Sequence, residues 1–434
     1  METPSQGMAL DRPNEYLFGR REASIAFVLT LALMVLDYAT RQIIVSVFPY
    51  LKTLWSLSDT QLGALVSVVS VTVAVAGIPI ALVADRWSRV KSIVVMGLIW
   101  SAATMACMAA RGYGELLAIR ALVGLGEAGY GSVGCALVAT HFPARLRGTV
   151  LAGFFAAASV GSVLGVMLGG VVAVRWGWQA PFGVVGIPCV VLALLFLRVR
   201  DYPTVAIASG ARPGSARPLI SRLAASIATP TLRWVCLGAA AQLIVVSAVW
   251  SWLPSFLVRY HGMAPDRAAV RAALVVLVGA VGSLVWGRVV DRASGAQTRR
   301  RLYLVAALCT LSALCAAGAF AVTGLGRPVL QFGLIALAGF MLTCTVGPVS
   351  AVVIDIVHPS IRSTGASMLS LFQNLFGLAS GPFIAGLLSD RLGLSTSLTC
   401  VPAFACVAAV LFILAGRSCD SELSRLPEPI AQRL

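Results

Sequence analysis

The sequence predicts an all-α membrane protein: twelve transmembrane helices in two pseudo-symmetric six-helix bundles. Three observations lead there. Of 434 residues, 59% are hydrophobic and only 12% charged, about half the charged share of a soluble domain. The apolar residues gather in twelve runs, each long enough to cross roughly 30 Å of hydrocarbon. Motifs of the first six runs return in the last six.

In chain order, a polar tail covers 1–22 and carries Arg12, Arg20 and Arg21. Spans are expected at 23–49, 59–84, 92–110, 115–141, 147–174 and 182–199, forming a first bundle over 23–199. A Pro/Arg/Ser-rich linker occupies 200–231. A second bundle over 232–416 holds spans at 232–257, 269–290, 302–323, 329–357, 364–388 and 395–416, and a tail covers 417–434. The first run, about 26 residues, is too long for a cleaved signal peptide and reads as an uncleaved anchor.

The net charge of +16 does not point to nucleic acid, because the basic residues lie between spans and not in one domain. Placing both termini in the cytoplasm puts 23 of the 33 lysines and arginines inside and 8 outside, leaving Arg41 and Arg120 within spans. That inside excess orients the chain and points to a bacterial inner membrane. The ten cysteines show no C-x-x-C pair and lie mostly in spans, as packing residues, so neither a disulfide framework nor a metal site is expected. His141, His261 and His358 fall at span ends or in loops.

The repeat is specific. ALVADRWSRVK after span 2 (Asp85, Arg86, Arg89) returns as GRVVDRASGAQTRRR after span 8 (Asp291, Arg292). GSVLGVMLGG in span 5 (Gly161, Gly165, Gly169) returns as GLASGPFIAG in span 11 (Gly377, Gly381, Gly386). The acids of the loops can face a helix amino end while arginines hold them, which makes a cytoplasmic latch; Asp355, near the end of span 10, is expected to join it. The glycines let helices pack backbone to backbone, either statically or at an interface that opens and closes.

Charges inside spans carry the functional expectation. Arg120 and Glu127 in span 4 stand about two helical turns apart on one face, and Asp37 and Arg41 in span 1 are one turn apart. A charge in hydrocarbon costs a few kcal/mol or more, so it is kept for a purpose or for a partner. Asp37 and Glu127 fall near the midplane, with both arginines about 7–12 Å toward the outside. Two acids and two bases can therefore meet in one pocket, where Arg41 and Arg120 bind an anion and only Glu127 and Asp37 can exchange a proton. The alternative is a static ion pair. The second bundle offers uncharged ligands instead: Gln242 in span 7, and Gln373 and Asn374 in span 11. Trp250 and Trp252 read as interface-belt or cavity-lining residues.

Together the Asp-Arg loops, the span 5 glycine run and the two-bundle repeat resemble the major facilitator superfamily. Within it, Tyr38–Arg41, ADRWSR at 84–89, RALVGLGEAGYG at 120–131 and WLPSFLVRYHG at 252–262 resemble the spinster-like group over nearly the whole chain. The resemblance implies a span 1 Asp-Arg pair working with the span 4 arginine and glutamate, on sphingoid phosphates or lysophospholipids. Arg41, Arg120 and Glu127 match that set. The span 1 acid does not: the group usually has Asn-Tyr-x-Asp-Arg, and this chain has Asp37-Tyr38-Ala39-Thr40-Arg41, with the acid one turn earlier. Val166 likewise stands where the antiporter glycine motif usually has proline.

The expectation is a secondary transporter, working by alternating access as a monomer among membrane lipids, that couples an amphipathic organic anion to protons without a cofactor. Its alternatives are a proton-linked drug or small carboxylate carrier, and a non-transporting receptor or scaffold. An enzyme is not expected, since HExxH, GxSxG and P-loop patterns are lacking.

Overall fold

A computed structural model describes residues 16–201, 230–295, 297–357 and 362–423. The side chains of residues 85, 144, 362–364 and 420–423 fall outside that description, as do the bulk of the expected linker, the chain ends beyond 16 and 423, and His358. Twelve helices among the described residues are long and apolar enough to cross a membrane. They are α1 (Arg20–Trp55), α2 (Asp59–Ala84), α3 (Arg89–Ala109), α4 (Tyr113–His141), α5 (Arg145–Trp176) and α6 (Ala180–Arg198), then α7 (Pro230–His261), α8 (Pro265–Ser294), α9 (Thr298–Ala321), α10 (Pro328–Ile356), α11 (Gly365–Leu392) and α12 (Leu394–Cys419). Helix is the form that satisfies every backbone N–H and C=O within one segment, which hydrocarbon requires. The first helix runs past Pro49 to Trp55, six residues beyond its expected end.

Two spans are interrupted where hydropathy alone predicts continuity. In α4 the helix stops at Glu127, Ala128 is extended, and Gly129 takes φ +89° before helix resumes at Tyr130. That dihedral suits glycine alone. In α10 the helix stops at Leu342 and resumes at Val346. The interruptions fall at matching places in the two halves, so the repeat extends to backbone conformation. A π-helical turn at Gln373–Leu378 divides α11.

By mutual contact the chain divides into two units: Met1–Ser56, Val71–Ile207 and Ala264–Ala273 in one, Leu57–Ser70, Ala208–Met263 and Leu274–Leu434 in the other. In the first unit Leu33, Trp100, Tyr130 and Phe154 centre the core, and the Tyr130 hydroxyl donates to Thr30 O at 2.7 Å. In the second, Val235, Cys309, Val352 and Phe412 do so. Each unit seats one glycine-lined helix on the backbone of another. In the first, a Cβ at Gly161 would strike the Val35 carbonyl, one at Gly165 would lie 2.5 Å from Ala39 O, and one at Gly169 3.0 Å from Ile43 O, so α5 lies on α1. In the second, Gly377 meets Ala240 O and Gly381 meets Ile244 O, so α11 lies on α7. Both faces are packed tightly inside a unit.

A buried ion-pair site on α1 and α4

The expected charged residues of the first half do meet. Asp37, Thr40, Arg120 and Glu127 are each at most 3% exposed. Arg41 Nε lies 2.9 Å from Glu127 Oε2 and 3.8 Å from Asp37 Oδ2, so one guanidinium stands between two carboxylates. The Nε–Glu127 approach is a charge contact: its N–H is not aimed at the oxygen, and neither atom gains a hydrogen bond from it. The guanidinium also lies 5.3 Å from the centre of the Tyr38 ring. Glu127 can reach this point because it is the last residue before the α4 interruption.

Thr40 occupies the position where the spinster-like pattern has its acid. Its hydroxyl lies 3.0 Å from Glu127 Oε1 and 2.7 Å from Asp37 O, and donates to either. An acid at 40 would place a second carboxylate directly against Glu127. With threonine there and the acid at 37, the same arginine separates the two carboxylates, and Glu127 gains a neutral donor. Asp37 Oδ1 is buried without a hydrogen-bond partner among the described residues.

Arg120, expected beside Arg41 as an anion ligand, faces the α1 backbone. It donates to Thr40 O at 3.2 Å and Arg41 O at 3.4 Å. Those contacts fix the turn that carries Thr40 and Arg41. Of the charged side chains here, Arg41 is 17% exposed, against 4% for Asp37 and none for Glu127. Arg41 is therefore the most accessible of the three.

The neutral ligands expected in the second half are dispersed. Gln242 is buried; its Nε2 donates to Ser312 Oγ at 3.1 Å and Leu342 O at 3.0 Å, which ties α7, α9 and α10 together. Gln373 and Asn374 open the π-helical turn, and Asn374 Nδ2 donates to Ser370 O. Trp252 is buried, with its indole N–H on Pro382 O at 3.0 Å; it is a packing residue and not a belt residue. His141 is buried, with Nδ1 2.9 Å from Leu137 O.

Two of the acids expected to form a cytoplasmic latch share one cation. Asp355 lies 2.6 Å and Asp291 3.5 Å from the same guanidinium, that of Arg301. Sequence reasoning missed Arg301 because it sits in a run of three arginines with no feature to distinguish it. Arg86 and Arg292 are exposed. In the loop before α3, Ser88 caps the helix at Lys91 N and donates to Asp201; the Asp85 side chain lies outside the described residues.

Comparison with known proteins agrees with this architecture. The Major Facilitator Superfamily profile matches residues 30–382 and 235–429. The chain is 28% identical over 90% of its length to an MFS-type efflux pump of Mycolicibacterium smegmatis, covering 90% of that protein. It is 27% identical to human protein spinster homolog 1, over 82% of this chain and 71% of that one. It is 28% identical to the gallate transporter of Pseudomonas putida, over 84% and 85%. A crystal structure of a bacterial homolog of the human lysosomal transporter spinster, inward-facing and unoccupied, has the same fold: TM-score 0.80 at 23% identity, over 95% of this chain and all of that one. The family consists of transporters and not enzymes, and the chain belongs to the Major Facilitator Superfamily, within its spinster-like group.

Proposed function

We propose that the protein couples the movement of an amphipathic organic anion to that of protons across a bacterial inner membrane, with both termini cytoplasmic. The observation that carries this reading is the single guanidinium of Arg41 between the Glu127 and Asp37 carboxylates. Arginine keeps its proton, so the group that changes charge must be an acid. When an anion engages Arg41, Glu127 loses its counter-charge and takes a proton; when the anion leaves, the ion pair re-forms and the proton goes. Thr40 holds the Glu127 carboxylate during the exchange, and Arg120 holds the α1 turn that presents Arg41.

Two substrate classes fit an arginine beside apolar surface, lysolipid-like anions and small aromatic carboxylates. The gallate transporter among the relatives favours the second. The test is proteoliposome transport of lysophosphatidic acid and of gallate in parallel, by counterflow and by pH-driven accumulation. Glu127→Gln mimics the protonated acid, so it should retain counterflow and lose pH-driven accumulation. Full accumulation in Glu127→Gln would make the glutamate a static partner of Arg41. Failure of the wild type to move any anion would favour the receptor or scaffold alternative.

A further inference from the structure

A second charged cluster lies at the α1/α2 turn, the end of α2 opposite the ADRWSR loop. Residues 57–70, the start of α2 with the two residues before it, belong by contact to the second unit, with α7 and α11. Asp59 is buried. Arg259 of α7 grips it with both amino groups, Nη1 to Oδ2 and Nη2 to Oδ1, each at 2.7 Å. Ser389 of α11 donates to Asp59 Oδ2 at 2.5 Å. The next residue, Asp390, accepts from Asp59 N at 2.7 Å, Thr60 N at 2.8 Å and the Thr60 hydroxyl at 2.6 Å. A carboxylate there meets the positive end of the α2 dipole and satisfies N–H groups that the helix leaves open.

The backbones are fitted to match. A Cβ at Gly63 would strike the Pro382 carbonyl, and one at Gly386 would strike the Asp59 carbonyl. Arg259 is braced in turn by Trp252, whose ring centre lies 5.7 Å from the guanidinium carbon. Paired carboxylates, a bidentate arginine and two glycine contacts all bear on one helix end. All of it joins α2 to helices from the other half of the sequence.

We propose that Asp59, Arg259, Ser389 and Asp390 form a releasable latch, and that α2 leaves this seat once in every transport cycle. The latch lies on the proposed outer side, so its release opens the outer path. It is the counterpart of the latch expected around Asp85, on the other side of the membrane, and it uses the same device of an acid placed on a helix amino end. The proposal rests on alternating access alone, so its failure leaves the roles of Arg41 and Glu127 untouched.

The test is hydrogen–deuterium exchange on the full-length protein in lipid nanodiscs, resolved by peptide. Asp59→Asn and Arg259→Gln should raise exchange several-fold in residues 59–70 and 380–392. They should at the same time lower it at the opposite end, in 84–94 and 288–301, because opening one end closes the other. Asp390→Asn, a milder change, should do the same to a smaller degree and covers the case in which the first two variants fold poorly. The charge swap Asp59→Arg with Arg259→Asp should return both ends toward the wild type. Faster exchange at both ends alike would make the cluster a static brace and overturn the proposal, as would unchanged exchange in 59–70.

Discussion

The same level of the two halves is built in opposite ways. Gly161 and Gly165 lie on Val35 and Ala39, and Gly377 and Gly381 lie on Ala240 and Ile244. That correspondence puts Asp37 of α1 level with Gln242 of α7. The helix interruption that follows Glu127 in α4 corresponds to the one that follows Leu342 in α10. In the first half the two positions are carboxylates held by Arg41. In the second, Gln242 donates to Leu342 O and Ser312, and no charge is involved. Duplication kept the backbone and the glycine seats and separated the chemistry. One half places ionisable groups at these positions, and the other a neutral frame.

The largest effect should come from removing the arginine of the charged half. Arg41→Ala removes the cation that contacts both buried carboxylates, and breaking a buried pair this way costs about 3–5 kcal/mol. Transport should be lost and the thermal midpoint should fall sharply. A variant as stable as the wild type would mean that both acids are already neutral and that the halves differ less than their sequences do.

The glycine seats, being shared, should respond alike. Gly165→Val and Gly381→Val each force atoms into a carbonyl of the facing helix, and overpacking of this kind typically costs about 1–3 kcal/mol. Thermal melting should show comparable losses. A large loss in one and none in the other would break the correspondence on which the comparison rests.

How much of this was legible in the sequence follows the range of each signal. The twelve spans and the repeat were legible because hydropathy and the glycine spacing are local patterns. So was the meeting of Asp37, Arg41 and Glu127, since charges in hydrocarbon must find partners. The interruption after Glu127 was not, because the run stays apolar through it; GEAGYG held the only trace, in Gly129. The direction of Arg120 was hidden too, since its partners are main-chain carbonyls that any sequence supplies. Asp59 with Arg259 and Asp390 was invisible because the partners lie 200 and about 330 residues apart. Asp390–Arg391 does repeat the Asp-Arg pair of the loops at 85–86 and 291–292, a signal that could have drawn attention to it.

A smaller and more specific effect should follow from returning the acid to its usual place. Asp37→Asn with Thr40→Asp moves the carboxylate one turn toward Glu127. The double variant should transport better than Asp37→Asn alone, since an acid at either position can answer the Arg41 guanidinium. If it does no better, Asp37 serves a purpose that the acid of related proteins does not.

The smallest effect should come from the neutral half. Gln242→Leu removes two hydrogen bonds of Nε2 and also an amide oxygen that is buried without a hydrogen-bond partner among the described residues. A hydrogen bond nets about 0.5–1.5 kcal/mol, so the thermal midpoint should fall slightly and the pH dependence of transport should not change. A change in pH dependence would bring Gln242 into the proton path.

We propose Glu127, in the first half, as the group that changes charge. Infrared difference spectroscopy of the protonated-carboxyl band, recorded on the reconstituted protein as pH is stepped, reads that group without a substrate. The wild type and Gln242→Leu should show the same pH-dependent band, and Glu127→Gln should lose most of it while Asp37→Asn keeps part. A band unchanged in Glu127→Gln would contradict the account and leave Glu127 as a permanent counter-ion to Arg41.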